Sequence, residues 1–238
     1  MPAGANRLDA ARATVLGMAP FRLSGTLYGV LLNHHAGLAA LGEAVHRPPY
    51  QAPPKGVVLY LKPRNTLLAS GDAVEVDDPD QALEVGAALG IVLGRSTANV
   101  REAEALDSVA GYLVVADFSV PHDSFYRPAI RFRARDASCV LGAAVTPSGA
   151  VGDPDALALR VSVDGRVVHE ASSGGTIRPV ARLIAEVSEF MTLAAGDVLL
   201  AGVAPGAPRV TAGARIAVEI DRVGRLETRV AVVAGHPA

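Results

Sequence analysis

The stretch Gly86-Ala-Ala-Leu-Gly-Ile-Val-Leu-Gly94 decides the fold class, because it is a continuous apolar run that contains β-branched residues. Such a run, bounded by glycines, is typical of a strand that is buried on both faces. A charged, amphipathic segment follows at residues 101–109, and residues 110–118 return to an apolar run. The sequence therefore predicts a central strand, a short helix and a further strand in this part of the chain.

The flanking sequence is also rich in strand patterns. Residues 25–32 and 55–61 read as buried strands, with a helical, alanine-rich period at 36–45 between them. Asp164-Gly165 is a strong hairpin dipeptide, Pro179 stands in the first turn of a predicted amphipathic helix, and strands are predicted at 193–202, 212–221 and 224–233. We therefore expect a strand-rich α+β fold whose sheet is mostly antiparallel or mixed, and not a doubly wound one.

Composition limits the classes of function. The 238 residues carry a net charge of −2, 50% are hydrophobic and 19% are charged, which excludes disorder for most of the chain. Near-neutral charge gives no electrostatic reason to expect nucleic acid or a membrane surface as partner. The single cysteine, Cys139, excludes an internal disulfide framework and is interpreted as a small buried hydrophobe.

The expected domain organisation is simple. Residues 1–24 are interpreted as a loosely ordered leader or a short helix, because the apolar run 15–19 is shorter than a secretory core. Residues 25–238 are expected to form one domain, with a small N-terminal lobe at 25–66 and a core at 67–238. The expected location is the cytoplasm.

Asp117 is the first candidate for chemistry, because its carboxylate ends an apolar strand. A charge there is costly unless a cation or several hydrogen-bond donors meet it. Arginines concentrate just downstream, and three of them share one face if the segment is extended: Arg131, Arg133 and Arg135. Guanidinium groups suit carboxylates, so a carboxylate ligand and a solvated, salt-bridged edge strand are both open interpretations. Of the adjacent His34 and His35, at most one can face any site.

Several short segments follow one another in a characteristic order. They include Gly25-Thr-Leu-Tyr-Gly-Val-Leu-Leu-Asn33, Lys62-Pro-Arg-Asn-Thr66, Ala116-Asp117, Phe125-Tyr-Arg-Pro128, Arg135-Asp136, Ser188-Glu-Phe190 and Gly196-Asp197. Each segment is a weak signal alone, but in this order they resemble the fumarylacetoacetate hydrolase family. They favour its isomerase/decarboxylase branch in homoprotocatechuate (4-hydroxyphenylacetate) catabolism, and within it the first repeat or subunit.

The resemblance implies a mixed β-roll or β-sandwich with a few short helices, and a homodimer or a heterodimer with a ligand-complete sister subunit. It implies a Mg²⁺ or Mn²⁺ ion that holds a keto-acid and polarises an enolisable carbonyl. The implied reactions are isomerisation of 5-carboxymethyl-2-hydroxymuconate and decarboxylation of 5-oxopent-3-ene-1,2,5-tricarboxylate. The implied substrate-binding residues are Lys62, Tyr126, Arg127 and Arg133.

The departures from the family pattern concern the metal. The two glutamates of the family's Glu-x-Glu fall on Gly86 and Ala88, which leaves Asp117 alone of the three carboxylates. Glu84 lies on the same strand face but about 6–7 Å along, so it could become a ligand only if a bulge shifted the strand. Further family positions carry other residue types here: Gly37 and Ala40 for a lid His and Glu, Pro121 for an arginine, Arg133 for a lysine, and Val203 for a threonine.

Three hypotheses follow from this pattern. The first is a subunit of the isomerase/decarboxylase that lacks the full metal triad. The second is an active enzyme of the family with a displaced site that uses Asp117, Glu84 and either His34 or His122. The third is a non-catalytic protein that binds a carboxylate through Arg127, Arg131 and Arg133.

Overall fold

The computed structural model describes residues 23–24, 26–122, 124 and 129–233. The larger of two sheets is mixed and has nine strands: β1 (Leu27–Leu31), β2 (Val58–Lys62), β3 (Leu67–Ala69), β5 (Leu83–Leu93), β6 (Val109–Ser119), β7 (Cys139–Leu141), β8 (Thr146–Pro147), β11 (Val198–Leu200) and β12 (Arg209–Val210). It contains the path β2-β1-β11-β5-β6-β7-β3, with β12 paired to β5 and β8 paired to β6.

This sheet must curl into a roll. The outermost strands of the path, β2 and β3, follow each other in the chain with only a 3₁₀ turn, Arg64–Thr66, near their junction. Seven flat strands would span about 29 Å, whereas the link from residue 62 to residue 67 reaches at most about 18 Å. Contacts confirm the closure, because Lys62 Nζ on β2 donates a hydrogen bond of 2.8 Å to the carbonyl of Phe118 on β6.

Strands β5 and β6 are buried on both faces. Alternate residues of β5, including Val85, Leu89 and Ile91, belong to the larger hydrophobic core outside the roll. Ala88 and Val92 face the roll's interior, where a smaller core contains Leu27, Leu113 and Leu141 among others. The apolar run at 86–94 is therefore a central strand, as predicted.

A second sheet covers the outer face of the roll. It has the order β10-β9-β13-β14-β4, with strands β4 (Ala73–Val76), β9 (Ala158–Val163), β10 (Arg166–Ser172), β13 (Arg215–Ile220) and β14 (Gly224–Val232). The β9–β10 hairpin turns at Asp164 and Gly165, both with positive φ, as a two-residue hairpin requires.

The helices are short. They are α1 (His35–Ala40), α2 (Glu102–Ala105), α3 (Ile130–Arg133), α4 (Ser148–Val151) and α5 (Val180–Ser188), with 3₁₀ turns at Gly42–His46, Arg64–Thr66, Leu106–Ser108 and Ser173–Gly175. Among the residues described, no helix has the length and apolarity needed to cross a membrane. The two sheets and few short helices confirm the expected strand-rich α+β fold.

Two local expectations need correction. Residues 130–133 form a short helix, so Arg131, Arg133 and Arg135 do not share an extended face: Arg133 is buried, whereas Arg131 is exposed. The strand predicted at 193–202 is only Val198–Leu200, because a turn precedes it in which the amide of Ala194 donates to the Asp197 carboxylate at 2.8 Å. The leader lies outside the described residues apart from Leu23 and Ser24.

Candidate functional site

Asp117 lies inside the roll near the end of β6 and is only 2% exposed. The ammonium group of Lys62, which is fully buried, lies 2.7 Å from Asp117 Oδ1. Lys62 also donates to the carbonyl of Phe118 at 2.8 Å and to Ser138 Oγ at 3.2 Å. The buried carboxylate therefore has a cation within hydrogen-bond distance, and desolvated charges are tolerated only when they are paired.

The second oxygen of Asp117 faces Tyr60 and Arg133. Tyr60 Oη donates a short hydrogen bond to Oδ2, and Arg133 Nη1 lies 3.7 Å from the same atom. The Arg133 guanidinium carbon lies 4.7 Å from the centre of the Tyr60 ring, a cation–π distance. Burial and, next, the negative charge of Asp117 raise the pKa of Tyr60 well above its ordinary value, so Tyr60 remains a neutral donor.

The backbone of β1 makes room for Tyr60. Gly29 pairs with Tyr60 across the β1–β2 ladder, and the ring lies so close that a Cβ at position 29 would be 2.0 Å from Tyr60 Cζ. Any larger residue at position 29 would displace the ring. Tyr60 and Lys62 are two residues apart, so they leave the strand on the same face and both reach Asp117.

A cavity of about 420 Å³ lies beside this cluster. Its polar wall includes His34, Tyr60, Glu84, Arg133 and Arg209, and the rest is mainly apolar or backbone, from the end of β1, helix α1 and the segment before β12. Partial burial is the largest influence on His34 and lowers its pKa below the ordinary histidine value. The cavity can therefore accept a small organic ligand with an anionic group against Arg133.

The resemblance places the family's two metal glutamates at Gly86 and Ala88, and in the structure both positions are closely packed. Gly86 pairs directly with Asp117 across the β5–β6 ladder, and a Cβ there would lie 2.6 and 2.8 Å from the two γ-carbons of Val203. Val203 therefore occupies the space into which a side chain at position 86 would extend. Ala88 is fully buried in the apolar interior of the roll.

Glu84 does not replace the missing ligands. The β5–β6 register is regular from Glu84 to Val92, so the bulge that would bring Glu84 to Asp117 is absent from this described segment. The Glu84 carboxylate instead pairs with Arg209, on β12, at 3.2 Å.

The arrangement does not fit the divalent ion that the resemblance implies. Within the described residues, no group of three His, Cys, Asp or Glu side chains is placed to hold a metal ion. Mg²⁺ and Mn²⁺ prefer several oxygen ligands, and Asp117 offers a single carboxylate.

The remaining predicted residues are dispersed. His34 lines the cavity, whereas His35 is exposed. His122 Nδ1 lies 2.8 Å from the carbonyl of Val120. Cys139 is fully buried, as expected, and burial raises the pKa of its thiol to about 12. The two remaining predicted binding residues, Tyr126 and Arg127, lie outside the described residues.

Sequence reasoning missed Tyr60 and Arg209. The alternation of Tyr60 with Lys62 on one predicted strand was an available signal, because it puts both polar groups on one face. Arg209 has no such signal, since its pairing with Glu84 joins residues far apart in the chain.

Comparison with known proteins identifies the family. Residues 26–231 match the sequence family described as fumarylacetoacetate (FAA) hydrolase C-terminal. The chain belongs to the fumarylacetoacetate hydrolase family. It is 35% identical to the 4-hydroxyphenylacetate degradation bifunctional isomerase/decarboxylase of Escherichia coli over 208 residues. This alignment covers 87% of the chain and 47% of the relative. The chain thus spans about half the length of this curated relative.

The oxaloacetate tautomerase FAHD1, mitochondrial, of Oryza sativa subsp. japonica is 32% identical over 201 residues, or 81% of this chain and 84% of that protein.

Solved structures of the family share the fold. The 5-carboxymethyl-2-hydroxymuconate delta-isomerase of Mycobacterium smegmatis superposes with a TM-score of 0.74 at 25% identity, covering 92% of this chain and 82% of that one. The fumarylpyruvate hydrolase of Pseudomonas aeruginosa, solved in complex with Mn²⁺ and pyruvate, gives a TM-score of 0.74 at 25% identity, covering 89% and 91%. A divalent metal ion is therefore found in at least one solved structure of the family.

Proposed function

We propose that this chain is a subunit of a 5-carboxymethyl-2-hydroxymuconate isomerase and 5-oxopent-3-ene-1,2,5-tricarboxylate decarboxylase of 4-hydroxyphenylacetate catabolism, and that its own site lacks the full metal triad. The identity to the bifunctional relatives supports the pathway. The pairing of Gly86 with Asp117, together with Val203 in the space beside Gly86, carries the metal-deficient part of the proposal.

The proposal includes a partner. Because the chain spans 47% of its bifunctional relative, a second unit of the same family is the natural complement. We propose a heterodimer with a subunit that carries the intact Glu-x-Glu and the metal, with a homodimer as the alternative assembly. The proposed location is the cytoplasm, and neither nucleic acid nor a membrane is a proposed partner.

The test combines metal binding with reconstitution. Titration calorimetry of the EDTA-treated chain with Mn²⁺ should show no tight stoichiometric site. The purified chain should turn over 5-carboxymethyl-2-hydroxymuconate only when mixed with a Glu-x-Glu homologue from the same source organism. A tight Mn²⁺ site on the isolated chain contradicts the proposal, as does a homologue that is equally active without this chain.

Glu84 favours a second candidate, an active enzyme with a displaced site. Its carboxylate lines the same cavity as Arg133, so it could take a proton from a ligand whose developing negative charge the guanidinium stabilises. Asp117 would then hold Tyr60 and Arg133 in place, with His34 on the cavity wall. Turnover by the EDTA-treated isolated chain, lost in Glu84→Gln and in Asp117→Ala, would support this candidate. No turnover in the wild-type chain, with or without Mn²⁺, would exclude it.

A further inference from the structure

The solvent face of the second sheet, which is turned away from the hydrophobic core, carries four arginines on strands β9, β13 and β14. Two of them have carboxylate partners on the same face. Arg160 lies 3.0 Å from Asp221, and Arg225 lies 2.9 Å from Glu227. The other two arginines have no such partner within the described residues. The charges of this face are therefore balanced everywhere except at one pair of side chains.

This unbalanced pair is Arg215 on β13 and Arg229 on β14. The two residues are directly opposite each other in the β13–β14 ladder, and both are exposed. Like charges directly opposite each other destabilise a sheet. Asp164, in the turn beside β13, accepts a hydrogen bond from the backbone N–H of Arg215 at 3.0 Å and makes no ion pair with its guanidinium group. The structure thus holds two positive charges side by side without a counter-ion from the described part of the chain.

A concavity of about 520 Å³ lies between these arginines and strand β9. Its floor is formed by small side chains: Ala217, which shares a strand face with Arg215, and Ser162, which pairs with Ala217 across the β9–β13 ladder. The hydroxyl group of Ser162 makes no hydrogen bond with any residue that the structure describes. The long arginine side chains therefore stand over a shallow floor that contains an available hydrogen-bond donor.

The charged groups that line this concavity are positive overall. Three arginines, Arg215, Arg225 and Arg229, and one glutamate, Glu227, leave a net charge of +2. Because Arg225 and Glu227 pair with each other, the surplus belongs to Arg215 and Arg229. A concave surface lined by charge of one sign concentrates ions of the opposite sign. A compact dianion placed here would cancel the surplus and relieve the repulsion between the two guanidinium groups.

The geometry favours a phosphate group over a carboxylate group. A carboxylate carries one charge and presents its oxygens in one plane, whereas a phosphate monoester carries nearly two charges at neutral pH and presents three acceptor oxygens in different directions. A phosphate can therefore accept hydrogen bonds from two opposed guanidinium groups and from a hydroxyl group on the floor at once. The rest of the concavity leaves room for a small organic part.

We propose that Arg215, Arg229 and Ser162 form a second binding site, which takes the phosphate group of a small phosphorylated molecule. None of the residues that line it also lines the cavity beside Asp117. The opposite face of the same strands packs into the hydrophobic core, with Ile216 and Val230 among the buried residues. The two sites are therefore separate, and a ligand at one does not exclude a ligand at the other.

The experiment measures binding to the chain by titration calorimetry in EDTA. The probes are inorganic phosphate and glycerol 3-phosphate, with glycerol as the uncharged control and malonate as a competing dicarboxylate. At about 0.15 M NaCl, where charges are screened beyond about 8 Å, only direct contacts sustain binding. We expect both phosphates to bind one site with a Kd of about 1 mM or lower and glycerol not to bind.

Two outcomes of this titration overturn the proposal. A weaker Kd for both phosphates means that the arginines attract an adventitious ion only. Displacement of glycerol 3-phosphate by an equal concentration of malonate means that the site does not select phosphate.

Substitutions locate the site. Arg215→Gln and Arg229→Gln should each weaken glycerol 3-phosphate binding by about tenfold, since each removes one charge-assisted hydrogen-bonding group. Arg160→Gln is the matched control, because it removes the same charge from the same face, but Arg160 has carboxylate partners and does not line the concavity. An equal loss of binding in all three variants overturns the assignment.

A charge reversal gives a test that does not depend on the size of that loss. Arg215→Glu places a carboxylate directly opposite Arg229, so the chain supplies its own anion where the phosphate would lie. Glycerol 3-phosphate binding should be lost, while Tm without phosphate should exceed that of Arg215→Gln. A folded Arg215→Glu variant that binds glycerol 3-phosphate as tightly as the unmodified chain overturns the proposal.

Discussion

Glutamates introduced at positions 86 and 88, where the resemblance places the family's metal ligands, should create a metal site only if Val203 is also shortened. In the double variant Gly86→Glu, Ala88→Glu, the new Cβ at position 86 would lie 2.6 Å from a γ-carbon of Val203. Real side chains do not approach so closely, so Val203 or the strand must move. Position 86 faces Asp117 directly in the ladder, and cross-strand Cβ atoms lie about 4.5–5.5 Å apart, which suits shared ligation of one ion.

The magnitudes separate the double variant from the triple variant that adds Val203→Ala. Overpacking at position 86 should cost the double variant about 1–3 kcal/mol of unfolding free energy. The triple variant avoids this cost. At a Mn²⁺ concentration of about 100 Kd, binding should stabilise the triple variant by about 2.7 kcal/mol. For a chain of this length, that corresponds to a rise in Tm of about 5–10 °C.

The assay is thermal unfolding with and without Mn²⁺, together with an electron paramagnetic resonance titration of free Mn²⁺. Val203→Ala alone is the control, because it opens the space without adding a ligand, and its Tm should not respond to Mn²⁺. If the double variant binds Mn²⁺ as tightly as the triple variant, Val203 does not block the site. If a folded triple variant gains no affinity, the alignment of Gly86 and Ala88 with the family's glutamates is wrong.

Three further predictions concern stability. Lys62→Met should lower the unfolding free energy by about 3–5 kcal/mol, because the buried Asp117 loses its nearest cation. The double variant Lys62→Met, Asp117→Leu should recover much of this loss in urea unfolding. A Lys62→Met variant with unchanged unfolding free energy would refute the ion pair. Burial raises the pKa of the Cys139 thiol in the folded protein from 9.0 to about 12. The contribution of this neutral thiol to stability is therefore complete below pH 9 and is lost as the pH rises towards 12. Cys139→Ala should make the decline of unfolding free energy over that range less steep, by up to about 1.4 kcal/mol per pH unit, and an unchanged slope would show that the thiol does not titrate in this way. Asn33→Ala should lower the unfolding free energy by about 1–3 kcal/mol, measured in the same way. The buried side-chain amide of Asn33 accepts a hydrogen bond from the backbone N–H of Arg178 at 3.0 Å and donates one to the carbonyl of Ala201 at 2.8 Å. An unchanged unfolding free energy would show that water replaces the side chain.

Local patterns in the sequence were sufficient for much of the fold. The apolar run at 86–94 and the Asp164-Gly165 turn each specify a backbone conformation through nearby residues, and the structure has both. The prediction of an extended conformation for the segment with Arg131, Arg133 and Arg135 was wrong, because arginines at every second position do not exclude a single helical turn. Residues 130–133 form that turn, with the amides of Phe132 and Arg133 both donating to the carbonyl of Ala129.

The site was less accessible from the sequence because its partners come from distant parts of the chain. Asp117 could be selected by the cost of its burial, but the choice among possible cations depends on how the roll closes. Closure brings Lys62, on the outermost strand β2, against Asp117 on β6, although β1, β11 and β5 lie between them in the sheet. No local pattern encodes that contact. The filling of the space at Gly86 by Val203 is equally non-local.

Charge balance explains how one carboxylate can stay buried when the other two are absent. Three carboxylates need a multivalent cation to offset their mutual repulsion, whereas one carboxylate needs only one ammonium group. Lys62 meets that need within hydrogen-bond distance and has its own protein acceptors at Phe118 and Ser138. The Lys62–Asp117 pair is therefore balanced without a metal ion.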